Sequence, residues 1–279
     1  MKRNRISEKQ IAAFRKWLVQ QEKKRATIEK YVRDVRAFHA FARDRSVTKE
    51  LTMAYKRKLT EEGYAPHSIN SMLASMNCFL CFLGREECKV KSVKLQRQIY
   101  CAEEKELTKE EYMKLLTAAG KRTRLALILQ TICGTGIRIS ELSYFTVEAI
   151  RRGEVSVSCK NKVRRILIPK KLQKMLLSFS RESGIASGVI FRSRYGNPLD
   201  RSNIWAEMKR LCRSAGVDPA KVFPHNLRKL FARTFYGLAK DIAKLSDILG
   251  HSSINTTRIY IMTTGTEHRR QIERLGLVV

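Results

Sequence analysis

The sequence predicts a mainly α-helical protein with a small β-sheet, in which a helical N-terminal part is followed by a C-terminal part of mixed helices and strands. Three observations lead to this fold class. Apolar residues recur at helical spacing through roughly the first 95 residues. Two short segments on either side of residue 160 alternate apolar and polar side chains, as half-buried strands do. A polar stretch whose charge changes from basic to acidic separates the two parts.

Four helices are predicted in the N-terminal part. Ser7 and Gln10 form a capping box ahead of the first helix, because each side chain can bond the backbone N–H of the other residue. Thr27 is expected to cap the second helix. The apolar stripes of these segments predict the core of a small helical bundle. The third and fourth helices are expected over 48–62 and from Pro66 to Gly84.

The polar stretch between the two parts is interpreted as an interdomain linker. We place this linker at 99–106, between a helical domain at 1–98 and a second domain at 107–279 that includes a C-terminal tail. Thr108 and Glu111 form another capping box and open the second domain.

The second domain is predicted to combine helices with a β-hairpin. A strongly apolar helix over Leu125–Cys133 is expected to stop at Gly134. Alternation around Val157 and again around Ile166 predicts two strands joined by a short basic turn. The remaining expectations are a third strand at Gly188–Phe191 and helices from about 201 to the end.

The charge of the chain indicates a polyanionic partner. There are 56 Lys and Arg against 26 Asp and Glu, a formal net charge of +30. Residues 1–100 hold 23 basic and 10 acidic residues and the remainder hold 33 and 16, so the excess is spread over both parts rather than confined to one tail. Nucleic acid is therefore the expected partner. A ribosome-associated protein and a protein that is merely basic are the other interpretations.

The N-terminus and the cysteines predict a cytoplasmic protein. The first residues lack the apolar segment of a signal peptide, and no run of about 18 apolar residues could span a membrane. Seven scattered cysteines are typical of reduced cytosolic thiols. Cys78 and Cys81 form a CxxC inside an apolar helical pattern with no second ligand pair nearby. We interpret them as buried helix residues rather than as a zinc or redox site.

Two segments supply cationic side chains suited to phosphodiester chemistry. Arg138 lies between a helix stop and the start of the next helix, where its side chain can point into a cleft. A surface arginine in a loop is the simpler interpretation of this residue taken alone. His225 and Arg228 are i and i+3 after Pro224, so they share one face near a helix N-terminus, where anions bind.

A third segment adds a histidine and a tyrosine. Gly250 is expected to end one helix, and Ser252 or Ser253 to cap the next. Such a hairpin can bring His251 near the same cleft, with Tyr260 about two turns into the second helix. Taken alone, Tyr260 is better explained as an ordinary core residue that packs with Ile254 and Ile261.

Together these segments resemble the tyrosine recombinases of the phage-integrase type, including the Xer proteins. Three family motifs are matched in the family's order and spacing, and the resemblance runs from about residue 5 to 275. It implies a SAM-like helical core-binding domain and a mixed α/β catalytic domain that form a C-shaped DNA clamp, in a compact Xer-like arrangement. The matches are the TGxRxSEL-like stretch at 135–142, the HxLR motif at 225–228 and the LGHxxxxxTxxY motif at 249–260.

The resemblance implies that Tyr260 attacks the scissile phosphate and forms a 3′-phosphotyrosyl bond. Arg138 and Arg228 would stabilise the negative charge that builds on the attacked phosphate, because a guanidinium fork matches two phosphate oxygens and stays ionised. The covalent bond conserves the energy of the bond that was cut. Neither a metal nor another cofactor is therefore expected.

Proton transfers are assigned by the same resemblance. His225 is the expected acceptor of the tyrosine proton, and His251 is expected to donate to a phosphate oxygen. The family also uses a lysine in a hairpin turn as general acid. Lys160 and Lys162 are both candidates, and Lys160 is preferred because it directly follows the first strand.

The expected partners are double-stranded DNA and three further copies of the chain, as a homo-tetramer on two duplexes. An accessory DNA-bending protein or a paralogous recombinase is a further expected partner. The C-terminal tail could dock on its own domain or on a neighbouring subunit.

A type IB topoisomerase, a metal-dependent nuclease or transposase and a non-catalytic DNA-binding protein are the competing functions. Recombinant products, activity in EDTA and a covalent adduct would respectively distinguish them from a recombinase.

Overall fold

The structure, a computed structural model, consists of two compact units, Met1–Arg97 and Gln98–Val279, each with its own hydrophobic core. Of the predicted linker, all residues before Glu106 lie outside the described part. The described residues are 5–43, 45–94, 106–120, 123–159, 162–193, 195–262, 269–270 and 272–276, with only the backbone at 159 and 162.

The described part of the first unit is a bundle of four helices with an aromatic core. The predicted capping box at Ser7 and Gln10 is present. Phe14, Phe38 and Phe79 are fully buried where the apolar stripes meet. The helices are α1 (Glu8–Gln20), α2 (Arg25–Ala42), α3 (Lys49–Glu61) and α4 (Pro66–Phe82), followed by a 3-10 turn at Glu86–Cys88.

Helix α2 begins before the predicted cap. The carbonyl of Lys24 accepts hydrogen bonds from the backbone N–H groups of Thr27 and Ile28, at 2.8 and 3.0 Å. Thr27 therefore lies in the first turn, and its prediction as the cap was wrong. The side chain of Lys24 makes no capping bond. Arg25, the first residue of α2, instead pairs with Glu29 one turn later at 2.8 Å. This i,i+4 ion pair stabilises the first turn of the helix.

The second unit surrounds an antiparallel hairpin with helices, so the prediction of a mainly α-helical chain with a small sheet is confirmed. Short 3-10 helices lie at Ile139–Tyr144 and Pro219–Lys221. The helices are α5 (Lys109–Ala119), α6 (Arg124–Thr135), α7 (Val147–Arg152), α8 (Lys170–Glu182), α9 (Arg201–Ala215), α10 (Pro224–Ala239), α11 (Ile242–Leu249) and α12 (Ile254–Arg258). The strands are β1 (Glu154–Cys159) and β2 (Lys162–Leu167).

Helix α6 ends at Gly136 rather than at the predicted Gly134. Gly134 is helical, whereas Gly136 takes the left-handed conformation with φ +64°. A Cβ atom at Gly136 would lie 2.4 Å from the ring of Phe231 on α10. Only glycine fits this close approach, and it lets the chain turn directly toward Arg138.

The hairpin has the predicted alternation, but the third strand is absent from the described residues. Val157 pairs with Arg164, and Ile166 lies on the same buried face. The segment at Gly188–Phe191 makes only an isolated bridge between Thr146 and Val189. Thr146 caps α7, so the chain turns into a helix there and cannot extend a ladder.

Helix α8 was not predicted. Its buried residues Leu172 and Leu176 are four apart, which is the helical spacing that would have revealed it. Among the described residues we find no helix with both the length and the apolar character needed to cross a bilayer.

Candidate active site

Arg228 is the centre of the candidate site. Pro224 occupies the first turn of α10, as predicted, and places His225 and Arg228 one turn apart. Arg228 is only 2% exposed. Its guanidinium donates to the carbonyl of Gly136 at the end of α6, at 2.5 Å, and to that of Leu249 at the end of α11, at 2.7 Å. One buried cation therefore joins the C-terminal ends of two helices, where carbonyl groups carry partial negative charge.

The charge of Arg228 is not balanced by a carboxylate of its own. Burial, and next the positive charge of Arg138, lower the pKa of Arg228 to about 10. No described residue accepts a hydrogen bond from its buried Nε atom. Arg228 therefore stays protonated at neutral pH and retains an N–H group for a further acceptor.

Arg138 lies two residues after Gly136 and caps the start of the 3-10 helix. Its backbone N–H donates to Oε2 of Glu141 at 2.7 Å, and its Nη1 donates to Oε1 at 3.0 Å. Its Nη2 points toward the carbonyl of Gly250, at 3.4 Å. The carbonyls of consecutive residues, Leu249 and Gly250, thus face Arg228 and Arg138, so the two guanidiniums lie on the same turn. With 37% of its side chain exposed, Arg138 can also meet a ligand from solvent.

Sequence reasoning missed two residues of this cluster, Glu141 and Arg164. Glu141 is buried and holds both Arg138 and Arg164. It stands inside a matched motif, which could have identified it. The period-2 alternation of β2 could have placed Arg164 on the buried face with Ile166.

His251 follows Gly250, which ends α11 with φ +61°, as predicted. Its Nε2 is 3.0 Å from Nη2 of Arg228, and its Nδ1 is 2.9 Å from the hydroxyl of Thr257. Because arginine can only donate, we assign Nε2 as an acceptor and place the proton on Nδ1. Burial, followed by the charges of Arg228 and Arg138, lowers the pKa of His251 to about 4. The ring is therefore neutral at pH 7.

Tyr260 lies just beyond α12 rather than within it. That helix ends at Arg258, and the backbone N–H of Tyr260 bonds the carbonyl of Thr257 at 2.9 Å. Tyr260 was expected about two turns into this helix. That prediction was wrong, because Ser253 caps a helix of only five residues. The tyrosine is 8% exposed and packs with the core formed by Ala232, Leu245 and Leu249.

The phenol group of Tyr260 faces the cationic cluster. Its hydroxyl is 3.4 Å from Nδ1 of His225. The rings of His225 and His251 each have centroids 4.9 Å from that of Tyr260, and the guanidinium of Arg228 lies 5.9 Å from it. Burial, followed by the charges of Lys229 and Arg228, lowers the pKa of His225. A neutral imidazole beside a phenol can accept its proton.

Five of the six predicted catalytic residues therefore meet in one site. The sixth, Lys160, lies outside the described residues, and so does the side chain of Lys162. Lys162 is the first residue of β2, and Arg164 follows two residues later on the same strand. Among the described residues, no group of three or more His, Cys, Asp or Glu side chains is arranged to hold a metal ion.

Comparison with known proteins links this geometry to a family. The model of the phage integrase family matches residues 105–266, and that of the phage integrase N-terminal SAM-like domain matches residues 11–87. Tyrosine recombinase XerA of Pyrococcus furiosus is 28% identical, covering 100% of this chain and 98% of the relative. Tyrosine recombinase XerD of Halalkalibacterium halodurans is 29% identical, covering 87% and 89%.

Solved structures share the fold. A lambda integrase dimer bound to a COC′ core site has a TM-score of 0.73 at 19% identity, covering 93% of this chain and 96% of that chain. The XerH site-specific recombinase bound to a difH substrate has a TM-score of 0.69 at 19% identity, covering 96% and 84%. Since the family model covers more than half of the sequence, the chain belongs to the phage integrase family and is a tyrosine recombinase, an enzyme that breaks and rejoins DNA strands.

Proposed function

We propose that Tyr260 is the nucleophile of a site-specific DNA recombination reaction that passes through a 3′-phosphotyrosyl intermediate. The contact that carries this proposal is the one between the Tyr260 hydroxyl and Nδ1 of His225, beside the buried guanidinium of Arg228. A phenol is a weak nucleophile until a base takes its proton, and here a neutral imidazole is within reach.

Cleavage then balances as one displacement at phosphorus. The Tyr260 hydroxyl gives its proton to His225 as its oxygen bonds the phosphorus atom, and the bond to the 5′-oxygen breaks. That oxygen takes a proton and leaves as a 5′-hydroxyl. The reverse reaction with the 5′-hydroxyl of another duplex transfers the strand and frees Tyr260. No phosphate-bond energy is lost, so the proposed cycle uses neither ATP nor a metal ion.

Arg138 and Arg228 are proposed to bind the two non-bridging oxygens of the scissile phosphate. Three observations support these roles: the shared position of the two guanidiniums at the end of α11, the partial exposure of Arg138, and the unbonded Nε of Arg228. Fixed cations in a water-poor site stabilise a developing negative charge better than mobile water does.

The two remaining proton carriers are proposed on less direct grounds. His251 can donate to a phosphate oxygen only if Nε2 carries a proton, so its contact with Arg228 must rearrange when the phosphate enters. Lys160 is proposed as the general acid for the leaving 5′-oxygen, with Lys162 as the alternative. A 5′-thiolate leaving group needs no acid, so a 5′-bridging sulfur should restore cleavage to whichever lysine variant is impaired.

We propose double-stranded DNA as the substrate and a homo-tetramer on two duplexes as the active assembly. The net charge of +30 and the likeness to a lambda integrase tetramer bound to a Holliday junction support both. Such a substrate would place the protein in the cytoplasm with the nucleoid. An accessory DNA-bending protein or a paralogous recombinase would act on the same complex. Recombinant product from the purified chain and DNA alone would show that neither is required.

Trapping the covalent adduct tests the proposed nucleophile. Purified chain is incubated in EDTA with DNA carrying its target, the reaction is stopped with denaturant, and the adduct is digested and sequenced by mass spectrometry. The nucleotide should be on Tyr260. Tyr260→Phe should bind DNA without forming an adduct, whereas Tyr236→Phe, in the same aromatic cluster, should form it normally.

Three results would contradict the proposal: an adduct in Tyr260→Phe, a nucleotide on another residue, or a requirement for a divalent metal. A plasmid with two marked sites then separates the competing enzymes. Recombinant circles indicate strand exchange, whereas relaxed plasmid without recombinants indicates topoisomerase activity.

A further inference from the structure

The hairpin carries an arginine on its buried face. Arg164 shares that face with Ile166 and Val157, and its side chain is only 14% exposed. The next residue, Arg165, is exposed on the opposite face. A cation on a buried face is costly unless it is paired, so the contacts of Arg164 show what its position requires.

Arg164 spans two segments that flank the active site. Its Nη2 donates to Oε2 of Glu141 at 2.5 Å, and its Nη1 donates to the carbonyl of Ile248 on α11 at 2.6 Å. The end of α11 also lies against the aliphatic part of Arg164. A Cβ atom at Gly250 would lie 2.6 Å from Cδ of Arg164. The guanidinium fork thus fixes the 3-10 helix, α11 and the hairpin against each other.

The carboxylate held by Arg164 is the one that orients Arg138. Oε1 of Glu141 accepts from Nη1 of Arg138, while Oε2 accepts from the backbone of Arg138 and from Arg164. Without Arg164, both carboxylate oxygens could turn to the Arg138 fork, because a bidentate pair is the favoured geometry of arginine with a carboxylate. Arg138 would then be drawn onto Glu141 and away from a ligand.

We propose that Arg164 is a positioning residue, which restrains Glu141 through Oε2 and so keeps the Arg138 fork directed at the scissile phosphate. This inference rests on the proposed function of Arg138 as a phosphate ligand. In this role Arg164 acts through Glu141 and not on the phosphate or the nucleophile directly. Substitution of Arg164 should therefore slow cleavage of the charged phosphate, as substitution of Arg138 does.

The test compares a normal scissile phosphate with a methylphosphonate, in which a methyl group replaces one non-bridging oxygen and removes the charge. The probe is a synthetic duplex that carries the target site, as sequenced from trapped adducts. The duplex is nicked so that the cut fragment dissociates and cleavage cannot reverse. At saturating full-length protein, Arg164→Met should form adduct about 10²-fold more slowly on the phosphate, the cost of a misplaced catalytic group. On the methylphosphonate most of that loss should disappear, as it should for Arg138→Ala.

Three further variants keep the result interpretable. Arg165→Met, on the same strand but the exposed face, should cleave both probes at the wild-type rate. If Arg164→Met does not fold, Arg164→Lys keeps a charge beside Glu141 but cannot also reach the Ile248 carbonyl. It should fold, cleave the phosphate slowly and recover on the methylphosphonate. The double variant Arg138→Ala/Arg164→Met should be no slower than Arg138→Ala, since residues that act through one another are not additive.

The failures of the two proposals are distinguishable. If Arg138→Ala is not rescued by the methylphosphonate, the proposed role of Arg138 is wrong. If Arg138→Ala is rescued but the Arg164 variants stay slow on both probes, or if Arg164→Lys cleaves the phosphate at the full rate, the positioning role of Arg164 is wrong.

Discussion

Each of the two units buries a carboxylate among cations, but the two units differ in how many of those cations are buried. In the first unit, Asp34 on α2 pairs with Lys30 at 2.8 Å and accepts from the hydroxyl of Ser75 at 2.9 Å. The ammonium of Lys30 also donates to Ser75 and to the carbonyl of Ser71 on α4. The exposed Arg33 approaches the other oxygen of Asp34 at 3.4 Å, so one buried negative charge meets one partly buried and one exposed positive charge. The network joins two helices.

In the second unit three arginines cluster around the buried carboxylate of Glu141. Glu141 pairs with Arg138 and Arg164, while the hydrogen-bond partners of Arg228 among the described residues are two carbonyl groups and a histidine. Burial, and next the repulsion by Arg138, lower the pKa of Arg228. A network that served stability alone would be expected to balance its charges. The excess indicates that the missing negative charge is supplied by a ligand, and a scissile phosphate would supply it.

The largest effect expected from this contrast is on cleavage. Arg138→Lys keeps the positive charge but loses the fork, so adduct formation should fall by about 10²–10³, the usual cost of removing one donor from a transition-state site. Stability should change little, because Arg138 is one-third exposed. Single-turnover cleavage and thermal unfolding of the same preparation check both statements. Cleavage at the wild-type rate would remove Arg138 from the site.

Breaking the Asp34 network should lower the stability of the first unit and leave cleavage unchanged. Asp34→Asn removes the charge that Lys30 and Ser75 share, and should lower the free energy of unfolding of the first unit by about 1–3 kcal/mol. Trp17 fluorescence in a Trp205→Phe background reports that unit, since Trp17 packs on Phe14. Cleavage at low temperature should be unchanged.

Glu29→Gln is the matched control for Asp34→Asn. It breaks the exposed pair with Arg25 on the same helix and should destabilise the unit less than Asp34→Asn does, because solvent screens exposed pairs. Equal destabilisation by the two variants would show that burial of the Asp34 network contributes nothing.

The contrast also explains which features the sequence could predict. Capping boxes and the helix end at Gly250 are local signals, and they were found. The motif residues were identified because the resemblance fixes their order. Arg164 and the burial of Arg228 depend on segments far apart in the chain, such as the pairing with Glu141 and the carbonyl of Leu249. Nothing local distinguishes the buried Arg228 from the many exposed arginines, and the alternation of β2 could have given the buried face of Arg164 but not its partners.

Local signals failed where packing decided between two similar choices. Gly134 and Gly136 are equally able to end α6, but only Gly136 meets the ring of Phe231. Likewise, the Gly188–Phe191 segment is apolar enough for a strand, yet its neighbour Thr146 starts a helix. Tertiary contacts between segments far apart in the chain therefore set these boundaries.

The fall of the cleavage rate at low pH, its acid limb, should reveal the same excess of positive charge. His225 must be neutral to accept the Tyr260 proton. Burial and the cations Lys229 and Arg228 lower its pKa below 6.5, while Glu106 opposes them. Activity should therefore persist through pH 6.5 and fall about tenfold per pH unit only below the lowered pKa. A pH–rate profile of single-turnover cleavage measures this limb.

Lys229→Gln should shift the acid limb toward higher pH. The substitution removes one cation near His225 and leaves Glu106 with Arg233 alone, and both changes favour the protonated imidazole. Lys240→Gln, at the other end of α10, is the control and should leave the profile in place. An unshifted limb in Lys229→Gln would indicate that a group other than His225 limits the rate.

The smallest expected effect is stabilisation by an added anion, and it compares the two units within one chain. If the arginine excess forms an anion site, sulfate should bind it and raise the stability of the second unit, by ~1.4 kcal/mol at ten times its Kd. Trp205 in a Trp17→Phe background reports this unit, and Trp17 in a Trp205→Phe background reports the first. Sulfate also stabilises proteins generally by exclusion from their surface, so the measured quantity is the difference between the two units relative to chloride at equal ionic strength. Arg138→Met should abolish that difference. Equal shifts in both units would show that the three arginines do not form an anion site without DNA.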